Sequence, residues 1–376
     1  MEAEWYRLHD PSTVPSPALL VYPDRVRANV QEMIRVAGSA ARLRPHIKTH
    51  KCAEIVDLQL NAGIRQFKCA TLGEAELLGN CGAPDVLLAM QLVGPHVAAF
   101  ASLAASFKQT KWAALVDNVD SARALSQAVV SAGVELGVFI DLNVGMDRTG
   151  IKSGAGAVAV FAEAERLSHL RARGLHAYDG HIRDTDRSVR TQRCIAAFEP
   201  VVALRQNLAT QFARQIELVA GGSGSFPVHA EHIDAQLSPG TTLLWDAGYA
   251  RIFPEQRFQP AVALLTRVIS QPDKTRYCFD LGHKSVAPEM APPRLQFLDV
   301  KGLREVGHSE EHLVVESSTA LDLTVGSTAY ALPVHVCPTV AKYPAMYTVE
   351  KGHVTGHWDV AARDAQPTVA RYSSPL

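Results

Sequence analysis

Short apolar runs alternate with segments of helical periodicity along the first two-thirds of the chain, and this alternation restricts the folds open to it. Eight runs have the length and composition of buried strands, and a segment long enough for a helix separates most neighbours. The predicted strands are Arg42–Lys48, Gln66–Thr71, Asp85–Met90, Lys111–Asp117, Leu136–Leu142, Ala172–Tyr178, Gln215–Ala220 and Thr241–Asp246. Strands joined by crossovers form parallel sheets, so the pattern predicts an α/β fold.

The helical segments share one repeating feature, an apolar face. The clearest is Pro23–Ala37, where Val26, Val30 and Met33 fall on one side and Pro23 suits the first helical position. The other predicted helices are Cys52–Leu60, Gly73–Gly79, Val97–Phe107, Ser121–Ser131, Gly156–Leu167 and Thr191–Leu208.

The number of strands and the length they occupy favour closure into a barrel. Residues 15–258 match the roughly 250 residues of a (β/α)8 TIM-like barrel, and an open doubly wound sheet is the alternative. Beyond Phe258 the chain changes to short β-rich runs broken by Pro and Gly. We therefore predict a smaller β-rich C-terminal domain over 259–376, which residues 1–14 join.

Composition excludes several classes of protein. The 37 Lys and Arg balance 38 Asp and Glu, for a net charge of -1, so no basic excess favours nucleic acid. No apolar run approaches the roughly 20 residues of a membrane span. The polar N-terminal sequence does not resemble a secretory signal, and six cysteines are too few for a disulfide scaffold. These features predict a cytoplasmic protein with no membrane partner.

Two features stand where barrels place their active groups, at the C-terminal ends of strands. Lys48 ends the first predicted strand, and burial beside Arg44 and His46 would favour a neutral amine able to form a Schiff base. The run Gly221–Ser225 offers backbone N–H groups that can bind phosphate. Each feature alone fits an ordinary surface lysine or loop, but together they indicate pyridoxal phosphate (PLP).

The chain resembles a known family in several stretches spread in order along its length. The stretches are Pro17–Val21, Arg44–Lys51, Ala70–Glu76, Gly145–Gly150, Gly174–His181, Pro239–Thr241 and Pro333–Val340. The most specific are RPHIKTHK and HVCPTV. In them the chain resembles the fold-type III PLP enzymes, the alanine-racemase-like barrels, and more closely their D-serine dehydratase / D-threonine aldolase branch.

The resemblance implies roles in cofactor binding. Lys48 is expected to carry PLP as a Schiff base, Arg148 to lie near its phenolic oxygen, and Tyr178 to pack against its ring. The residues expected to hold the phosphate are Gly222, Ser223, Gly224, Gly240 and Thr241. One position departs from the alanine racemases, which have an arginine against the pyridine nitrogen where this chain has Ser238. The protonation state of that nitrogen is therefore open.

A second candidate site is the pair His335 and Cys337. In a strand these residues would point to the same side, and imidazole with thiolate suits Zn²⁺, with Mn²⁺ as an alternative. Spacing alone favours a buried histidine and cysteine in a β core over a metal pair, but the resemblance reverses this and implies a metal pair. The aldolases of the branch more often have Asp at the second position, so Cys337 favours the dehydratases.

Two further positions bear on the reaction. His181 follows Tyr178 by three residues and could face the site as a base. Aldolases of the branch carry a histidine where this chain has Asp184, which counts against aldol chemistry. The stretch Asp280–Lys284 resembles a family stretch and is expected to shape the substrate entrance.

The resemblance implies a PLP- and metal-dependent lyase for D-β-hydroxy amino acids. The first expectation is a D-serine dehydratase-like β-elimination that gives a 2-keto acid and ammonia. The alternatives are D-threonine aldolase-type cleavage to glycine and an aldehyde, racemisation, and a non-catalytic PLP-binding role. The expected partners are a small D-amino acid and a second copy of the chain in a homodimer.

Overall fold

The computed structural model of the protein describes residues 4–367. They form two compact units. The sheet unit takes in the described residues of Met1–Glu32, Thr49–Ile55 and Thr241–Arg363, and the barrel unit takes in those of Met33–Lys48, Val56–Gly240 and Asp364–Leu376. The domain bounds of 15–258 and 259–376 with 1–14 stay a prediction, and their ends, residues 1–3 and 368–376, lie outside the described residues.

Strands and helices alternate first, and a β-rich segment follows. The strands are β1 (Ala18–Val21), β2 (Gln66–Cys69), β3 (Asp85–Gln91), β4 (Lys111–Val116), β5 (Leu136–Leu142), β6 (Leu170–Ala177), β7 (Glu217–Ala220), β8 (Gln236–Leu237), β9 (Val262–Ser270), β10 (Arg276–Phe279), β11 (Leu295–Phe297), β12 (Leu303–Ser309), β13 (His312–Ser317), β14 (Thr328–Pro333), β15 (Ala345–Glu350) and β16 (His353–Asp359). The α-helices are α1 (Pro23–Ala37), α2 (Ala53–Asn61), α3 (Leu72–Asn80), α4 (Pro95–Ser106), α5 (Val119–Ala132), α6 (Ala155–Arg166), α7 (Arg187–Gln211), α8 (Phe226–His232), α9 (Ala247–Ile252) and α10 (Val336–Val340).

The barrel unit is built on β2 to β8, which pair in sequence order, each parallel to the next. An extended segment ahead of β2 closes the ring, because Leu43 forms a parallel bridge with Leu237 and His46 forms one with Lys68. The predicted barrel is confirmed. Its first segment makes isolated bridges instead of a full strand, since Pro45 has no N–H to donate to a neighbouring strand.

The predicted eighth strand, Thr241–Asp246, is wrong. The eighth strand is β8, which comes just before it, and Thr241–Leu243 forms a 3-10 turn. The apolar residues Leu243 and Leu244 are fully buried without being in a strand, and a short apolar run does not by itself distinguish the two. The Pro239-Gly240 dipeptide therefore follows the last barrel strand and stands at its C-terminal end, where barrels place functional groups.

Opposite charges neutralise one another at the N-terminal ends of the barrel strands. Asp85, the first residue of β3, accepts hydrogen bonds from Arg44 Nη1 and from Arg173 Nη2, each at 2.7 Å. Arg173 also donates from Nε to Glu217 at 2.8 Å. The side chain of Arg44 is fully buried. In barrels this end of the sheet serves stability, which fits a closed network of two cations and two anions.

The sheet unit contains one large sheet with the strand order β12-β13-β10-β9-β1-β15-β16, while β14 pairs with β9 and β11. Strand β1 is parallel to β15 and antiparallel to β9. Leu20, Leu265, Tyr330 and Leu332 belong to the core that this sheet covers. The β-rich second part of the prediction is confirmed. Among the described helices, none combines the length and the apolar character needed to cross a membrane.

Candidate active site

Three basic side chains surround the ring of Tyr178, the residue that follows β6. Lys48 Nζ lies 5.6 Å from the ring centroid, Lys68 Nζ 6.0 Å and Arg148 Cζ 5.2 Å. At such distances a cation is attracted by the electrons of an aromatic ring. The barrel unit thus brings together Lys48, Arg148 and Tyr178, which the sequence predicts for the cofactor site, and adds Lys68, which the sequence did not predict.

Lys68 is the third residue of β2, and only 3% of its surface is exposed. Its Nζ lies 3.4 Å from His176 Nε2, and His176 Nδ1 lies 2.8 Å from Asp141 Oδ1. The other carboxylate oxygen of Asp141 accepts hydrogen bonds from Gln91 Nε2 at 2.7 Å and from Thr149 Oγ1 at 2.9 Å. Residues from four barrel segments therefore support one buried amine.

The protonation states of Lys68, His176 and Asp141 follow from their surroundings. Burial, and then the nearby charge of Lys48, lower the pKa of Lys68 to about 7. Burial lowers the pKa of His176 despite its hydrogen bond to Asp141, so the imidazole is neutral. Burial opposes the ionisation of Asp141, but its hydrogen bonds lower its pKa below the usual range. The bond from His176 has the largest effect among them. The Nδ1–H of His176 therefore donates to Asp141, and its Nε2 accepts from Lys68.

Two glycines allow the loop after β7 to approach other side chains closely. Gly221 has a φ of +74°, in the left-handed region, and a Cβ there would lie 2.7 Å from His229. A Cβ on Gly222 would lie 2.9 Å from Tyr178 Cε2. Since real Cβ contacts are not this short, the backbone reaches Tyr178 only because residue 222 has no side chain.

The residues predicted to hold phosphate are bonded to one another in this loop. Gly222 N–H donates to Ser225 Oγ at 3.1 Å, and Gly240 N–H donates to Ser223 Oγ at 3.0 Å. Gly224 lies between the two serines in the same loop. The structure therefore brings Gly222, Ser223, Gly224 and Gly240 together in the barrel unit. Thr241, the next residue, is buried in the sheet unit.

A buried carboxylate supports the loop. Asp179 is fully buried and accepts hydrogen bonds from Ser225 Oγ at 2.6 Å and from His229 Nε2 at 2.7 Å. Burial opposes the ionisation of Asp179, but these hydrogen bonds hold its pKa below the usual range. The bond from His229 has the larger effect. Among the described residues, Asp179, Cys194 and His229 also form a group close enough to share an ion. Burial raises the pKa of Cys194 to about 12, so its thiol is neutral and the group is a hydrogen-bonded network.

His181 and Asp184 differ in their freedom to act as bases. Nδ1 of His181 is buried and makes no hydrogen bond to any described residue, and a Cβ on Gly145 would lie 3.0 Å from its Nε2. Asp184, in contrast, accepts from Arg193 Nη1 with both carboxylate oxygens, at 3.0 and 2.8 Å. The imidazole is available to a ligand, whereas the carboxylate already has a partner.

Ser238 stands where the related racemases have an arginine, and its hydroxyl is already bonded. Ser238 Oγ donates to the backbone carbonyl of Arg44 at 2.9 Å, and the residue is buried. The hydroxyl thus ties the end of β8 to the extended segment that closes the barrel.

The prediction that His335 and Cys337 lie in a strand is wrong. Strand β14 ends at Pro333, His335 is the residue before α10, and Cys337 is in the first turn of that helix. Pro338 fits this turn because the first N–H groups of a helix have no partner within it. The two side chains still interact, since a hydrogen bond and the charge of Cys337 act on His335.

The surroundings of the pair supply further polar atoms within the sheet unit. Glu289 Oε1 lies 2.5 Å from His335 Nδ1, and the hydroxyls of Thr49 and Thr241 lie 3.1 and 3.5 Å from Cys337 Sγ. Burial lowers the pKa of His335, but Cys337 and then Glu289 outweigh it and raise the pKa to about 9. Imidazole, thiol and carboxylate are the ligand types that Zn²⁺ binds in proteins, so these residues fit a metal ion.

Two family descriptions match successive parts of the chain. The family described as alanine racemase, N-terminal domain, matches residues 21–246, which is more than half of the chain. The chain belongs to the alanine racemase family. This family member is thus a fold-type III PLP enzyme, as the sequence predicts, and its residues 261–349 match a putative serine dehydratase domain.

Individual relatives match over nearly the whole length of this alanine racemase family member. It is 30% identical to the D-threonine aldolase of Arthrobacter sp over 93% of both chains. It is 28% identical to the 3-hydroxy-D-aspartate aldolase of Paracoccus denitrificans (strain Pd 1222), over 94% of this chain and 93% of the relative. The crystal structure of D-threonine aldolase from Filomicrobium marinum superposes with a TM-score of 0.87 at 29% identity, covering 94% and 97% of the two chains.

Sequence reasoning missed Lys68, His176 and Asp141. Each is a polar residue in a mostly apolar barrel strand, Lys68 in QFKC and Asp141 in LGVFIDL. A charged side chain is rarely fully buried unless it is paired. The signal that could have found the three residues is therefore an ionisable side chain in a strand that must be buried on both faces.

Proposed function

We propose that this PLP-dependent lyase catalyses the β-elimination of a D-β-hydroxy amino acid, giving a 2-keto acid and ammonia, with a divalent metal ion as second cofactor. The relatives are lyases of D-hydroxy amino acids, and the C-terminal match is to a putative serine dehydratase domain. D-Serine is the simplest substrate of this class. We favour elimination because both carboxylate oxygens of Asp184 accept hydrogen bonds from Arg193.

The residues around Tyr178 suit a cofactor that carries a phosphate and a phenolate. Lys48 and Arg148 place positive charge beside one ring, and Gly222 leaves room where any side chain would collide with that ring. In the proposal Lys48 would bind PLP as a Schiff base, Tyr178 would pack against its ring, and Arg148 would interact with its phenolic oxygen. The residues that would hold the phosphate are Gly222, Ser223, Gly224, Gly240 and Thr241. When bound, PLP withdraws the electron pair that remains on the α-carbon of the substrate.

Lys48 has a second role in the proposal. Once free of the cofactor, the amine of Lys48 would lie close to Tyr178 and would serve as the base for the α proton of the substrate. The α C–H bond then breaks and an N–H bond forms on Lys48, while the β-hydroxyl leaves with its bonding electrons.

His335 and Cys337 provide the proposed metal site. Glu289 is bonded to Nδ1 of His335, which leaves Nε2 to face an ion, and a carboxylate behind a ligating histidine fixes its orientation. A bound divalent ion, Zn²⁺ or alternatively Mn²⁺, would supply Lewis acidity that helps a hydroxyl leave.

Elimination and aldol cleavage differ in where a base is needed. Aldol cleavage requires a group that removes the proton of the β-hydroxyl, whereas elimination requires removal of the α proton. The carboxylate of Asp184, at the position where related aldolases have a histidine, is bound by Arg193 through both oxygens. This leaves Lys48 as the best-placed base and favours elimination.

Aldol cleavage to glycine and an aldehyde is the second candidate. The observation in its favour is the 30% identity to a D-threonine aldolase. His181 would then be the base, because its Nδ1 is buried and makes no hydrogen bond to a described residue.

Product analysis separates these reactions. The PLP-loaded enzyme is incubated with D-serine and with D-threonine, with added Zn²⁺. A keto acid supports elimination, glycine with an aldehyde supports the aldolase, and the L-isomer supports a racemase. Absence of turnover with an intact yellow absorbance would contradict every catalytic reading and favour a PLP-binding role. We also propose a homodimer, which light scattering of the loaded enzyme tests.

A further inference from the structure

Lys68 is a buried amine that the proposed reaction has not yet used. It is 3% exposed, and its hydrogen-bond partner is the imidazole of His176 at 3.4 Å. A buried lysine is expected to pair with a carboxylate, but here His176 stands between Lys68 and Asp141. Lys68 and Lys48 lie 6.0 and 5.6 Å from the same ring centroid of Tyr178.

We propose that Lys68 accepts, directly or through a water molecule, the proton that Lys48 acquires in each turnover, and that His176 and Asp141 hold its amine for this transfer. An N–H bond of the Lys48 ammonium breaks and an N–H bond forms on Lys68, so the total charge does not change. The inference rests on the proposed role of Lys48 as the base. Lys68 acts through Lys48 and is therefore a positioning residue.

The charges that face Lys68 favour a proton acceptor over a permanent cation. Lys48 and Arg44 oppose its protonation, Asp141 and Asp179 favour it, and burial outweighs them all. The resulting pKa of about 7 contrasts with the usual value near 10.4. A group that exchanges protons in a reaction works best when its pKa is close to the working pH.

His176 explains why the amine stays able to lose its proton. A carboxylate in direct contact would stabilise the ammonium and keep it charged. The neutral Nε2 of His176 offers one lone pair without a negative charge, while Asp141 fixes the imidazole from its far side at 2.8 Å. Lys68 is thus held in place without being locked in its charged form.

The first test follows the absorbance of the PLP-loaded enzyme as the pH is varied, with no substrate. Lys68 carries a charge close to the chromophore only below its pKa, and burial is the main cause that lowers this pKa, so we expect a step in the spectrum near neutral pH. The step should be absent in Lys68→Met, which keeps the length of the side chain without an amine. It should remain in the matched control Lys152→Met, because Lys152 is an exposed lysine of the same unit.

The second test separates a proton acceptor from a fixed charge. Lys68→Arg keeps a positive charge but does not release a proton at any working pH. We expect kcat with D-serine to fall ~100-fold in both Lys68→Met and Lys68→Arg, the size typical of a lost acid–base group, while KM changes little. Recovery of kcat in Lys68→Arg would show a fixed cation and overturn the proposal.

The two tests also keep this inference apart from the proposed reaction. The spectral step needs only PLP bound to Lys48, so a step at neutral pH that Lys68→Met removes supports Lys68 whatever products are found. If the wild-type enzyme shows no step, the inference fails even where D-serine gives keto acid. Since this decisive titration uses the wild-type enzyme, the inference can be overturned even where a variant does not fold.

Discussion

The hydroxyl of Ser225 donates a hydrogen bond of 2.6 Å to the carboxylate of Asp179, and the same oxygen accepts the N–H of Gly222 at 3.1 Å. Two consecutive bonds thus connect a fully buried charge to the backbone of the loop proposed to bind phosphate. His229 donates to the other carboxylate oxygen at 2.7 Å. The shape of the loop therefore depends on a charge that is itself hidden from solvent.

Replacing Asp179 is expected to weaken the binding of PLP. Asp179→Asn keeps the size of the side chain but removes the charge that orders Ser225 and His229. Loss of a hydrogen bond to a buried charged group costs about 1.5–3 kcal/mol of the free energy of unfolding. We expect the urea midpoint to fall accordingly and the dissociation constant of PLP, measured by fluorescence, to rise by about tenfold or more.

The control for this prediction is Asp120→Asn. The side chain of Asp120 is 96% exposed in the same unit, so its substitution should leave both the unfolding free energy and the PLP affinity close to those of the wild type. Equal behaviour of the two variants would show that the buried carboxylate does not order the loop.

A methyl group at residue 222 is expected to displace the ring of Tyr178. The Cβ of Gly222→Ala would lie 2.9 Å from Tyr178 Cε2, whereas a Cβ on Gly154 would meet no atom within 4 Å. The yellow absorbance of Gly222→Ala should therefore saturate at a PLP concentration about tenfold higher, since a displaced ring loses its contacts with Lys48 and Arg148. Gly154→Ala should titrate as the wild type does, and identical titrations of both variants would contradict the prediction.

The barrel could be predicted because its strands are buried on both faces and read as separate apolar runs. Helix α1 has the bounds that periodicity predicts, Pro23–Ala37. The strand predictions are wrong where an apolar run is buried without forming a full strand. Leu243 and Leu244 are buried in turns, and the segment before Lys48 contributes only bridges because Pro45 interrupts its hydrogen bonding.

The site could be predicted only where residues are neighbours in the sequence. The stretches around Lys48 and Tyr178 each carry a motif, so the sequence predicts both residues for the cofactor site. Lys68, His176 and Asp141 lie on three different strands and meet only when the barrel closes. The prediction put His335 and Cys337 in the wrong element because a strand and the first turn of a helix both allow the two side chains to meet.

Chelation is expected to stop the reaction without releasing PLP. Elimination should fall in the presence of a chelator and return with Zn²⁺, because His335 and Cys337 are the proposed ligands. His335→Gln and Cys337→Ser should lose both activity and the response to Zn²⁺, while their absorbance shows PLP still bound. Full activity in excess chelator, with no metal detected by elemental analysis, would contradict the metal proposal.

Residue 184 is expected to influence the choice of reaction. Asp184→His replaces a carboxylate held by Arg193 with an imidazole that can act as a base near neutral pH. With D-threonine the ratio of glycine to keto acid should rise at least severalfold, as measured by chromatography of the products. Asp184→Asn is the matched control, since it offers no base and should leave the ratio unchanged. An unchanged ratio in Asp184→His would remove Asp184 as an argument for elimination.

Asp85 is expected to make the barrel sensitive to acid. Burial alone would raise its pKa, but Arg44 and Arg173 outweigh burial and lower the pKa below its usual range. Because the folded pKa is lowered, the stabilisation is complete above the unfolded value of about 3.9 and is lost as the pH falls from there through the folded pKa. Asp85→Asn should lower the unfolding free energy at pH 7 by about 3–5 kcal/mol and flatten its dependence on acidic pH. Urea unfolding at several pH values measures both effects, and a variant as stable as the wild type would show that the buried pair contributes nothing.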